Sequence, residues 1–161
     1  MFDRSRSLTE LEGDDWGKAN YPSHLVITCH RMRDKPLRDL SDDEVRMAIG
    51  QQFSLPILVP LALERLQQNP LLPGDFYQGA VLMSIFMVKP LFWTEHPELW
   101  QRANDIAAVF WSMAEELDES WHEVVEPDMR EDYALFVQEK PGSSNPVHAA
   151  DEEPRMTKVR G

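Results

Sequence analysis

Residues 97–117 read Pro97-Glu-Leu-Trp-Gln-Arg-Ala-Asn-Asp-Ile-Ala-Ala-Val-Phe-Trp-Ser-Met-Ala-Glu-Glu-Leu117. Leu99, Ala103, Ile106, Phe110, Met113 and Leu117 recur at steps of four and three, which sets them on one face of an α-helix. Pro97 suits the first turn, because its fixed φ is helical and its missing N–H would have no intrahelical partner there.

The same punctuation extends upstream. Asp75 is placed to cap a helix from Phe76 to Val88, apolar on nearly every side and so expected at the centre of a bundle, with Pro90 ending it. Pro56 starts the helix before that, with Leu58, Leu61, Ala62 and Leu66 inward and Pro60 still in the first turn. Ser41-Asp-Asp-Glu44 is a capping box ahead of the stripe Val45, Ala48, Ile49 and Phe53. Ser23 precedes a further helix in which Leu25, Cys29 and Met32 share a face, although Val26-Ile-Thr28 is β-branched. Ser7 caps a short helix holding Leu8, Glu10 and Leu11.

Downstream, shorter segments around Trp121 to Val125 and Met129 to Val137 complete the set. No run alternates with period two over the length of a strand. The sequence therefore predicts an all-α, single-domain bundle of about six to eight helices over residues 1–139, followed by a disordered tail over 140–161 that is rich in breakers.

Chemistry is hard to find along the chain. Cys29 and His30 are neighbours, but adjacent helical residues point about 100° apart, so a thiolate–imidazole pair is not expected from them. The five histidines lack metal-ligand spacing, and Gly74-Asp-Phe-Tyr-Gln-Gly79 does not match a phosphate-cradling loop. No catalytic residue, cofactor or metal is expected. The lone cysteine and an N-terminus without a secretory signal's apolar stretch predict a cytoplasmic protein. The longest apolar run, 80–88, is too short to span a bilayer, so no membrane association is expected. Arg31, Arg33, Lys35 and Arg38 form a small basic cluster, expected to pair with Asp14, Asp15, Asp34 or Asp39.

Charge is more informative. The formal net charge is −12, and residues 90–139 hold thirteen acidic and two basic side chains against twelve and ten in residues 1–89. So acidic a chain is a poor ligand for nucleic acid, which requires basic surface. Carboxylates packed this densely repel one another until a cationic partner arrives. A protein surface built to grip nucleic acid is the natural complement, met by carboxylates standing in for phosphates. Such a partner would then be contacted through Glu115, Glu116, Asp118, Glu119, Trp121, Glu123, Glu126 and Asp128. Tryptophan is included because it is enriched among interface anchors, although most of Trp93, Trp100, Trp111 and Trp121 should be packing residues.

Several segments, in order, carry a likeness. They are Leu11-Glu-Gly-Asp-Asp-Trp-Gly17, Tyr21-Pro-Ser-His-Leu-Val26, Thr28-Cys-His-Arg-Met-Arg-Asp-Lys-Pro-Leu37 and Ile49-Gly-Gln51. Leu58-Val-Pro-Leu-Ala-Leu-Glu64, Asn69-Pro-Leu71, Gly74 to Gly79, Phe92-Trp93 and His96-Pro-Glu-Leu99 continue them. As an ensemble over about residues 8–105, the chain resembles a family of contact-dependent growth inhibition (CDI) immunity proteins. It departs from the pattern at Asp34, where a base is expected, and in a longer C-terminal region.

The resemblance implies a cytoplasmic, non-enzymatic protein that binds and blocks the C-terminal toxin domain of a neighbouring cell's exoprotein. It leaves open whether the shared motifs are scaffold or touch the toxin. Toxin specificity is expected in the late acidic residues, and a basic nuclease is the toxin their charge suits. The alternative is an adaptor or regulatory subunit binding a host protein.

Overall fold

The computed structural model describes residues 2–142. The disordered tail expected over 140–161 lies, beyond its first three residues, outside them.

Nine α-helices and one short 3₁₀ turn make up the described chain, one or more beyond the expected six to eight. They are α1 (Leu8–Glu12), α2 (His24–Met32), α3 (Asp42–Gly50), α4 (Leu55–Gln68), α5 (Ala80–Phe86), α6 (Pro90–Glu95), α7 (Pro97–Ala114), α8 (Glu119–Val124) and α9 (Glu126–Gln138). The 3₁₀ turn spans Leu37–Asp39. Among the described residues the only β-type pairing is a single antiparallel bridge between Ser7 and Pro36.

Local chemistry sets several starts. Ser7 with Glu10 and Ser41 with Glu44 each form a complete capping box, satisfying donors that the first turn leaves open. Asp118 caps α8 by accepting from the Trp121 amide at 2.9 Å. α2 forms despite its β-branched run, because burial of Cys29 and Met32 outweighs a modest propensity cost.

Three expectations are corrected. The central helix begins at Ala80, not Phe76, and Asp75 does not cap it. Gly79, at φ 94°, holds the N-cap instead, and the preceding residues turn through Gly74 at φ 58°. Pro60 falls in the second turn of α4, because that helix starts at Leu55; the bond its N–H would have made is forfeited. α7 stops at Ala114, leaving Met113 exposed, while Trp100 and Ala107 join the buried face. The central helix also stops short of the expected Val88, at Phe86 with Met87 as its C-cap, so Pro90 opens α6 rather than ending α5.

α5 is the centre. It packs on α3, α4 and α9, and Ala80, Val81, Leu82, Ser84, Ile85 and Phe86 are buried. α7 lies against α4, and α8 against α9. Phe136 of α9 closes the core on Phe86, Trp93 and Trp100, with ring centroids 5.2, 5.5 and 5.1 Å away.

Candidate functional site

Several side chains of the N-terminal motif segments are engaged in one network within the fold. Arg33, 1% exposed, pairs with Glu12 at 2.8 Å and donates to the Asp14 carbonyl at 2.9 Å and the Ser54 hydroxyl at 3.1 Å. Its guanidinium lies 4.4 Å over the Trp16 ring, which meets His30 edge-on. His30 Nδ1 contacts the Gly17 carbonyl at 3.1 Å. Lys35 pairs with Glu44 at 2.9 Å, and Asp34 accepts from the Thr9 hydroxyl. Within the basic cluster, Arg33 is thus paired with Glu12 and Lys35 with Glu44. This network braces α1, α2 and the start of α4.

Cys29 is fully buried, and burial pushes its thiol up to about 11, so it holds no thiolate at neutral pH. Among the described residues no group of His, Cys, Asp and Glu is placed to hold a metal ion. No helix among them is long and apolar enough to cross a membrane.

The acidic stretch forms an arc over the end of α7, all of α8 and the first turns of α9. Glu115, Glu116, Asp118, Glu119, Glu123 and Asp128 are exposed. No cation among the described residues forms an ion pair with any of them or with Glu131. Exposed Val109, Met113 and Val124 lie on the same helices.

Two of the anticipated residues behave differently. Trp121 is buried at 7% exposure, donates from Nε1 to the Gln78 carbonyl at 2.8 Å and packs near Phe110. It supports the arc from beneath. Glu126 receives His122 at 2.7 Å and Arg130 at 3.0 Å. Those hydrogen bonds, His122 foremost, hold its carboxyl below the usual range. His122 and Arg130 therefore converge on one carboxylate, while Glu115, Glu116, Asp118, Glu119, Glu123 and Asp128 form no ion pair among the described residues.

Beside the arc, α3, α5 and α9 enclose an open cleft of about 520 Å³. Arg46 and Gly50 form one side, Phe76 and Tyr77 the mouth, Met83 and Met87 the floor; Asp128, Glu131 and Asp132 form the facing wall. Phe76 is 65% exposed, with the Arg46 guanidinium 4.4 Å over its ring. Arg46 is held in turn by Asp43 at 2.7 Å, and Asp43 also accepts from the Asp75 amide. Burial raises the pKa of Tyr77; Arg46 pulls it down, while Asp132 and Asp128 push it up. All three charges are thus felt in the cleft. Sequence reasoning missed Arg46, Phe76, Tyr77 and Glu131 as one site; the only hint was that Gly50 and Gly74 to Gly79 belong to the motif ensemble.

A second cleft, of about 320 Å³, lies between the N-terminal residues and α4, lined by Phe2, Arg4, Pro60, Glu64 and Arg102. Its charges are spent internally: Arg4 pairs with Glu64, and Arg102 donates to Gln67.

The family model of the CDI immunity proteins matches residues 10–103, more than half of the 161-residue chain. None of the curated proteins and none of the solved structures matches it.

Proposed function

Starting from a chain that belongs to the CDI immunity proteins, we propose that it neutralises a cognate toxin domain by stoichiometric binding in the cytoplasm, through residues 1–139. The partner is the C-terminal domain of a CDI exoprotein, basic and nuclease-like in its surface. Nothing is turned over, and neither a cofactor nor nucleic acid takes part.

The observation that carries this reading is the uneven charge. Thirteen acidic and two basic residues fall in 90–139, and Glu115, Glu116, Glu119, Glu123 and Asp128 stand exposed without a paired cation among the described residues. Such a field accelerates encounter with a basic surface, while the desolvated contacts beneath determine how long the pair stays together. A carboxylate array can take up the donors a nuclease offers to phosphates.

Steering predicts a strong salt dependence. The association rate with the cognate toxin domain should fall by about tenfold or more between low and high ionic strength. Stopped-flow mixing at several salt concentrations measures it, and an unchanged rate removes the arc from the mechanism. Equimolar chain should also abolish the toxin's nucleic-acid cleavage in vitro. A toxin domain that binds no chain at all removes the immunity reading itself.

A further inference from the structure

The cleft between α3, α5 and α9 joins two kinds of sequence. Arg46, Gly50, Phe76 and Tyr77 lie within the matched residues 10–103, whereas Asp128 and Glu131 lie beyond them. We propose that this cleft receives an arginine side chain from the toxin domain, stacked at Phe76 and paired with the α9 carboxylates, so that the first wall seats the partner and the second selects it. The inference rests on the immunity reading above and names the part of the surface that does the reading.

Gly50 is the first support. It is the last residue of α3, and its φ lies outside the left-handed region that commonly explains a glycine at a helix end. A Cβ built there would meet nothing within 4 Å. Neither backbone nor packing calls for glycine, and glycine is a poor helix residue. What its missing side chain does provide is open space on the cleft wall, as close approach by another molecule requires.

Phe76 is the second. An exposed ring of this size on a turn is not stabilising the core. Arg46 already stands over it, which shows that the ring accepts a guanidinium. Because Arg46 is bound by Asp43, its charge is answered locally and leaves the opposite wall negative.

That wall is the third. Asp128 and Glu131, three residues apart on α9, share one side of the helix and face the cleft. A planar fork can stack on an aromatic ring while donating to carboxylates, which a lysine cannot do equally well. Met83 and Met87 on the floor offer adaptable apolar surface for the aliphatic stem.

The test uses the full chain and its cognate toxin domain, catalytically silenced, with affinity and rates from surface plasmon resonance. Gly50→Leu fills the cleft from open space and improves helix propensity, so the thermal midpoint should hold or rise. Affinity should nevertheless fall by about tenfold to a hundredfold, through faster dissociation. Glu131→Arg, at an exposed position, should weaken binding similarly, whereas Glu115→Arg on the arc should slow association and leave dissociation unchanged. If Gly50→Leu lowers the thermal midpoint, Glu131→Arg decides alone. Wild-type binding together with full affinity in both cleft variants overturns the cleft while leaving immunity standing; a wild-type chain that ignores the toxin domain overturns both.

Discussion

Replacing Glu12 by alanine is expected to cost about 3–5 kcal/mol of stability. At this chain length that corresponds to a fall of roughly 6–20 °C in thermal midpoint. Its partner Arg33 is almost wholly enclosed, and an arginine cannot shed its proton to escape. The Nε–H of Arg33 already lacks an acceptor, so removing Glu12 takes the carboxylate at 2.8 Å from an enclosed cation. Arg33→Met acts in the milder direction, because the Glu12 side chain is 28% exposed and can be met by water. A cost of about 1–3 kcal/mol is expected there, from the Asp14 carbonyl that loses its donor, while the Ser54 hydroxyl keeps its bond to Glu12 at 2.9 Å. Glu12→Leu combined with Arg33→Met should recover most of the loss, since an apolar pair of similar bulk often replaces a buried ion pair without penalty. Calorimetry on the three variants checks the order. Equal losses in both single variants would mean that packing, not charge, governs the site.

The second large effect is at Phe136. This ring is fully buried, and Phe86, Trp93, Trp100 and Tyr133 surround it. Its backbone carbonyl also accepts from Trp100 Nε1 at 3.1 Å. Truncation to alanine should cost about 3–5 kcal/mol through lost burial and the cavity left behind. Leu135→Ala, next along α9 but 40% exposed, should stay within about 0.5 kcal/mol of the parent. Urea titrations of both would separate them, and a Phe136 variant as stable as the Leu135 one would show that α9 is not part of the core. The point reaches beyond the helix. α9 lies outside the family match, yet the aromatic centre is incomplete without it, so residues 10–103 are not expected to fold when expressed alone.

Much of this architecture could be read from local signals. The capping boxes at Ser7 and Ser41 act over three residues, and the period of Pro97 to Leu117 spans five turns, so both survive without tertiary information. Elsewhere longer-range forces decide. Met113 is exposed while Ala114 is buried, because α7 ends at Ala114 and its last turn is set by what it packs against. α6, six residues between Pro90 and His96, is too short to display a period. Asp75 resembled a cap because its residue type suits one, but two left-handed glycines turn the chain there and the helix starts later. The candidate site was legible only as charge. The arc follows from composition, whereas Trp121 proved buried and the cleft is assembled from α3, α5, α9 and the 74–79 turn, whose meeting no local pattern announces. Of the early motif residues, Glu12, Trp16, His30 and Arg33 form an internal network, whereas Phe76 stands exposed at the cleft beside Gly50.

The turn from Gly74 to Gly79 has one more implication. A Cβ on Gly79 would sit 2.9 Å from the Phe110 ring, and the neighbouring Gln78 carbonyl is tied to Trp121. The arch that displays Phe76 is therefore clamped at its foot before any encounter. Association has no loop to freeze there, and the configurational entropy that docking normally removes has already been surrendered during folding.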